Sequence, residues 1–132
     1  MSSKRIPEGY NAVMPYLILN NAVGFLEFMR EVFDAELTYK AMRDEKTIMH
    51  AELKIGDSKI MFAEATEQWK VQPAGLFIYV DEADVVYNKA KLKGAEVVTQ
   101  MADQSYGRSG GVQDPFGNVW WITSMPEEQI VI

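Results

Sequence analysis

The same order of elements is written twice in this sequence, about sixty residues apart, and that repetition constrains the fold more than any other feature. Phe33-Asp34-Ala35-Glu36-Leu37 closes a helical pattern in the first half as Lys93-Gly94-Ala95-Glu96-Val97 closes one in the second. In the first half, Asn11 to Leu19 is rich in strand formers, and Asn20-Asn21 supplies polar residues suited to capping a helix. Ala22, Phe25, Leu26, Met29, Val32 and Phe33 then recur at three- and four-residue steps, which predicts one buried helical stripe. Three strands follow. They are Glu36 to Met42, Thr47 to Ile55, and Lys59 to Ala63 after a Gly56-Asp57 turn. In the second half, Leu76 to Val80 reads as a strand and Glu82 to Leu92 as a helix. Glu96 to Thr99 is the next strand, and Gly110 to Gln113 with Val119 to Ser124 form a hairpin around Asp114-Pro115-Phe116-Gly117.

The expected class is therefore α+β, one domain over residues 1–132 made of two tandem βαβββ modules. Module one spans about 11–65 and module two about 75–124; the aperiodic stretch from Thr66 to Ala74 reads as the linker. With 48% apolar and 24% charged residues the chain can bury a core of its own. No stretch approaches the roughly 20 apolar residues that span a bilayer, and Met1 to Tyr10 is polar, so no membrane partner and a cytoplasmic location are expected. The absence of cysteine removes disulfides, thiolate nucleophiles and thiolate metal sites. A formal charge of −6, with 19 acids against 13 bases, argues against nucleic acid as a partner. It favours a cationic ligand slightly, or serves solubility alone.

Four groups of residues resemble one known family. Met14-Pro15-Tyr16-Leu17, His50-Ala51-Glu52-Leu53 with Ile55-Gly56-Asp57-Ser58, Tyr106-Gly107-Arg108, and Asp114-Pro115-Phe116-Gly117-Asn118-Val119-Trp120 are similar to the glyoxalase/bleomycin-resistance/extradiol-dioxygenase (vicinal oxygen chelate) superfamily, nearest its PhnB-like branch. The resemblance runs from about Asn11 to Thr123. It implies paired modules forming a curved mixed sheet around a cleft, helices on the outer face, frequent homodimers, and members that are metalloenzymes beside members that sequester drugs. In the PhnB-like branch an acidic residue often stands between the glycine and the arginine, whereas here Arg108 follows Gly107 directly.

Metal-dependent members bring His, Gln or Glu ligands from the first and last strands of each module. The matching positions fall near Met14, Met61, Gly75 and Trp121, none of which is a usual ligand for a hard or borderline divalent ion. His50 and Glu52, two apart on one strand, share a face and can supply half a metal site, with no evident other half. The expected metal is none, and no cofactor is expected.

If the helices cover the strand face bearing Met49, Ala51 and Leu53, the opposite face carries Met14, Tyr16, His50, Glu52, Met61, Ala63, Phe77, Tyr79, Val119 and Trp121. Such a lining suits a small-molecule pocket, with aromatic faces for a cationic or planar ligand and Glu52 as counter-charge; alternatively it fills a packed core. His50 beside Glu52 is the smallest arrangement able to act as a general base with an orienting partner, and these two are the candidate catalytic residues; a structural histidine is the other reading. Tyr106 and Arg108 are candidate ligand contacts, although Arg108 can equally pair with Asp114 or Asp103. Asp114-Pro115-Phe116-Gly117 is read as a structural turn.

Three functions follow from these residues. The first is a small-molecule binder with a metal-free cleft and unspecified activity. The second is a metal-dependent lyase, isomerase or dioxygenase, which makes the enzyme question open. The third is a non-catalytic dimeric interaction module, with Gln129-Ile130-Val131-Ile132 as a candidate apolar contact.

Overall fold

The computed structural model describes residues 5–126, so the Gln129–Ile132 contact lies outside the described residues. The chain divides into two compact units, the first ending at Gln72 and the second beginning at Pro73. Each is one βαβββ module, as the repeated pattern predicts.

In unit one, strand β1 (Tyr16–Leu19) leads into helix α1 (Ala22–Phe33), then β2 (Glu36–Met42), β3 (Ile48–Ile55) and β4 (Ser58–Glu64). Helix α1 starts where the sequence supplies a cap: the Asn21 side chain accepts from Gly24 N–H at 3.1 Å. Glu64, at the end of β4, adds two further acceptors to the free N–H groups of Asn21 and Ala22, both at 2.9 Å. All six residues of the predicted stripe are buried, and Phe28 joins them. They pack on the sheet face bearing Leu17, Leu19, Ala51, Leu53 and Phe62, each at most 2% exposed, with the Phe25 and Phe62 rings edge to face. The sheet order is β1-β4-β3-β2, with β1 parallel to β4 and the remaining pairs antiparallel.

Unit two repeats this with β5 (Gly75–Tyr79), α2 (Ala83–Leu92), β6 (Glu96–Gln104), β7 (Gly107–Gln113) and β8 (Val119–Ser124) in the order β5-β8-β7-β6. Here Ser124 caps α2 by accepting from Ala83 N–H. The pairs Tyr16–Met61 and Phe77–Trp121 occupy equivalent places in the two sheets.

Three local expectations are corrected. Strand β1 begins at Tyr16 rather than Asn11: Pro15 accepts from Met61 N–H at 2.9 Å but has no N–H to give, and the ladder with β4 begins at the Tyr16–Met61 pair. Strand β6 runs on to Gln104 and β7 starts at Gly107; these segments are too polar or too glycine-rich to alternate, and only pairing across the sheet makes them strands. Met49 does not face the helix. A β-bulge places Ala41 opposite His50 but Met42 opposite Ile48, so Ile48 takes the buried position at 1% exposure and Met49 is released at 49%.

The segment read as a linker is also built in. Gln72 exchanges backbone hydrogen bonds with Ile18, and Thr66 and Trp69 close a turn on each other, so the chain straps the outer edge of β1. Asp114 is 3% exposed and accepts from Phe116 N, Asn118 N, Asn118 Nδ2 and Trp120 Nε1 at 2.8 to 3.0 Å, the structural role read from the turn.

Candidate functional site

The face of unit one that turns away from α1 carries Tyr16 and Ile18 from β1, Met61 and Ala63 from β4, His50 and Glu52 from β3, and Tyr39 from β2. Strand alternation and ladder register alone put them there. Glu52 is its centre, buried at 5% exposure. Its Oε1 accepts from Tyr10 Oη at 2.5 Å and lies 4.0 Å from Lys59 Nζ, while its Oε2 lies 2.8 Å from His50 Nε2. Lys59 is itself buried, donates to Thr38 Oγ1 at 3.1 Å and sits 4.3 Å over the Tyr10 ring.

Burial pushes the Glu52 carboxyl up, but hydrogen bonds from Tyr10 and His50 and the charges of His50 and Lys59 outweigh it, and the net shift is downward. Glu52 is therefore a carboxylate. Its hydrogen bond holds the Tyr10 hydroxyl protonated above the usual phenol range. An ionised carboxylate only accepts, so His50 Nε2 carries a proton. In the neutral imidazole the other nitrogen then accepts, and Tyr16 Oη stands 2.9 Å from Nδ1 to donate to it. The result is a chain from carboxylate to imidazole to phenol, ending at Tyr16, which is 48% exposed.

Tyr16 also walls a cavity of about 500 Å³ in this unit. Ile18, Met49 and Ala63 are apolar lining residues beside it; Trp69, Thr66 and Gln72 from the strap and Arg43 just after β2 complete the lining with Glu64. The bulge at Met49 and the strap over β1 create this space. Neither has a period for a sequence pattern to reveal.

In unit two the corresponding face exposes Phe77, Tyr79 and Trp121, and Tyr106 joins them with its ring 6.0 Å from that of Phe77. Trp121 lies across two glycines. A Cβ at Gly75 would stand 3.2 Å from its ring and one at Gly111 3.4 Å, so the missing side chains let the indole lie over the sheet. Arg108 is not brought to this face. Its register opposite Ser124 alternates it away from Ser109 and Thr123, and its guanidinium holds Asp84 through Nε at 3.0 Å and Nη2 at 3.2 Å. Asp103 is a third contact at 3.4 Å, but Asp114 is not a partner, being occupied inside its own turn.

The donor chemistry does not fit a divalent metal ion. Met61 offers a thioether, Trp121 only an N–H donor and Gly75 no side chain; among the described residues no three His, Asp or Glu side chains are grouped to hold an ion. His50 and Glu52 do converge, yet both oxygens of Glu52 and both ring nitrogens of His50 are already engaged.

The family model described as the Glyoxalase/Bleomycin resistance protein/Dioxygenase superfamily matches residues 16–122. The chain belongs to that superfamily. An uncharacterized protein of Mycobacterium bovis is 28% identical over 121 residues, covering 83% of this chain and 80% of that one. Among solved structures of the same fold are TioX from Micromonospora (TM-score 0.71, 20% identity, covering 87% and 99% of the two chains), a PhnB protein from Bacillus cereus (0.68, 16%, covering 86% and 99%) and the fosfomycin resistance protein FosX from Listeria monocytogenes (0.69, 17%, covering 89% and 95%). At these identities the likeness is one of fold. Within the superfamily chain, sequence reasoning found Tyr16, His50 and Glu52 but missed Tyr10, Thr38 and Lys59, which complete the network, and Arg43, Met49 and Trp69, which complete the cavity. Tyr10 meets Glu52 across 42 residues of sequence, from a segment with no periodicity.

Proposed function

We propose that this superfamily member binds a small planar molecule in the cavity of unit one, without a metal ion. One observation carries the reading: Tyr16 presents a half-exposed aromatic ring to an apolar cavity while His50 fixes its hydroxyl, so hydrophobic wall and polar anchor meet at one side chain. The exposed cluster of Phe77, Tyr79, Tyr106 and Trp121 in unit two is a second surface suited to planar or cationic aromatic groups. A metal-dependent lyase, isomerase or dioxygenase is the weaker reading, since the donor set at the matching positions does not support it. We also propose a cytoplasmic homodimer, to be checked by light scattering on the purified protein.

Thermal-shift measurements with aromatic ammonium compounds and aromatic carboxylates, with and without a chelator, test the binding reading. A melting temperature that rises equally in both conditions, and no longer rises in Tyr16→Ala, is the expected result. Stabilisation by divalent metal alone would replace this reading with the metalloenzyme.

A further inference from the structure

Two features of the unit-one cavity are not used by a simple binding role. The first is Arg43. Arg43 lines the cavity, and among the described residues it forms no ion pair; its charge acts at longer range on the neighbouring Asp44, whose carboxylate accepts from Lys46 N–H and Thr47 N–H, both at 2.8 Å. The carboxylate that lines the cavity, Glu64, is committed to the N-terminus of α1. Of the two charged side chains lining the cavity, the one not held in this way is thus positive, although the chain as a whole carries −6. The second is the ordered relay. Glu52 fixes a proton of His50 on Nε2, so that in the neutral imidazole the Nδ1 lone pair meets Tyr16 Oη, and Tyr16 alone of the three opens into the cavity.

Resting on the binding reading, we infer that Tyr16 is an acid–base catalytic residue, served through His50 and Glu52, for a planar carboxylate held by Arg43. His50 is faced by Tyr16 from β1, by the Tyr39 ring at 5.9 Å from β2 and by Glu52 on its own strand; Tyr10 and Lys59 meet Glu52 at its other oxygen. The chemistry is reversible proton abstraction next to a carbonyl. The Tyr16 oxygen takes a proton from the substrate carbon as its own proton passes to His50 Nδ1. The C–H electron pair forms a C=C bond and the carbonyl π pair moves to oxygen, giving an enolate balanced by the imidazolium that Glu52 supports. Reversal returns a proton to carbon. His50 is 24% exposed at its side chain, so its proton can exchange with water, and the cycle needs no oxidant, reductant or other reactant.

The test uses 4-acetylbenzoate, a planar carboxylate whose methyl ketone exchanges slowly by itself in heavy water. Proton NMR follows loss of the methyl signal, and saturation transfer in the same tube reports binding. Wild type is expected to accelerate exchange at least about tenfold over buffer, a change of about 1.4 kcal/mol in barrier. Tyr16→Phe should still bind and lose the acceleration, His50→Ala should lose it and recover part on addition of free imidazole, and Arg43→Gln should raise KM more than it lowers kcat. Imidazole rescue separates a relay from a merely structural histidine. Binding without exchange in wild type overturns the acid–base role and leaves the binding reading intact. Neither binding nor exchange overturns the carboxylate assignment, and the binding reading is then decided by its own thermal-shift panel. Exchange undiminished in Tyr16→Phe overturns Tyr16 as the catalytic residue.

Discussion

His50 Nε2 lies 2.8 Å from Glu52 Oε2, two residues along the same strand, and this contact sets the orientation of the whole polar network on the open face of unit one. Strand alternation makes the pair neighbours, burial makes the contact strong, and Tyr10 and Lys59 make the carboxylate tolerable there.

The carboxyl of Glu52 is lowered on folding, so its contribution to stability is present above the unfolded carboxylate range and is lost as pH falls through that range to the lower folded value. Glu52→Gln is expected to lower stability by about 1–3 kcal/mol near neutral pH and by progressively less in acid, because Tyr10, His50 and Lys59 lose an ionised partner. Urea melts of both proteins at pH 7 and pH 4 check this. Equal differences at the two pH values would mean that the charge of Glu52 contributes nothing.

Metal content tests the donor chemistry directly. Protein purified without chelator and then incubated with nickel, zinc, manganese or iron(II) is expected to retain none of them stoichiometrically by elemental analysis. Retention that disappears in His50→Ala or Glu52→Ala would show that the relay gives way to a metal centre.

Removal of the Asp114 carboxylate takes away the group to which Trp120 Nε1, Asn118 N–H and Phe116 N–H donate. Asp114→Ala should therefore cost about 3 kcal/mol or more, seen as a fall in urea midpoint. A loss below about 1 kcal/mol would contradict the assignment of this turn as a structural lock.

Arg108, by contrast, holds Asp84 and Asp103 at the surface, with side chains 39%, 55% and 87% exposed. Arg108→Ala is expected to lower stability by no more than about 1 kcal/mol and to leave ligand-induced thermal shifts of the unit-one cavity unchanged. A lost shift would place Arg108 in the binding site after all.

The sequence by itself determined what depends on period and repetition. Six apolar residues at helical spacing specified the buried face of α1; the sixty-residue echo specified two βαβββ modules; and alternation placed Tyr16, His50, Glu52, Met61, Phe77 and Trp121 on the faces away from the helices. The superfamily was legible for the same reason, since its turn Asp114-Pro115-Phe116-Gly117 is local. Only the tertiary structure decided the rest. The bulge that frees Met49 exists because β2 and β3 must stay paired around an extra residue. The partners of Glu52 come from Tyr10 and Lys59, that of Arg108 from Asp84 on a helix 24 residues away, and part of the cavity wall from Trp69 in a segment without pattern. Such contacts join residues distant in sequence, and they become neighbours only when the sheet and its straps bring their backbones together.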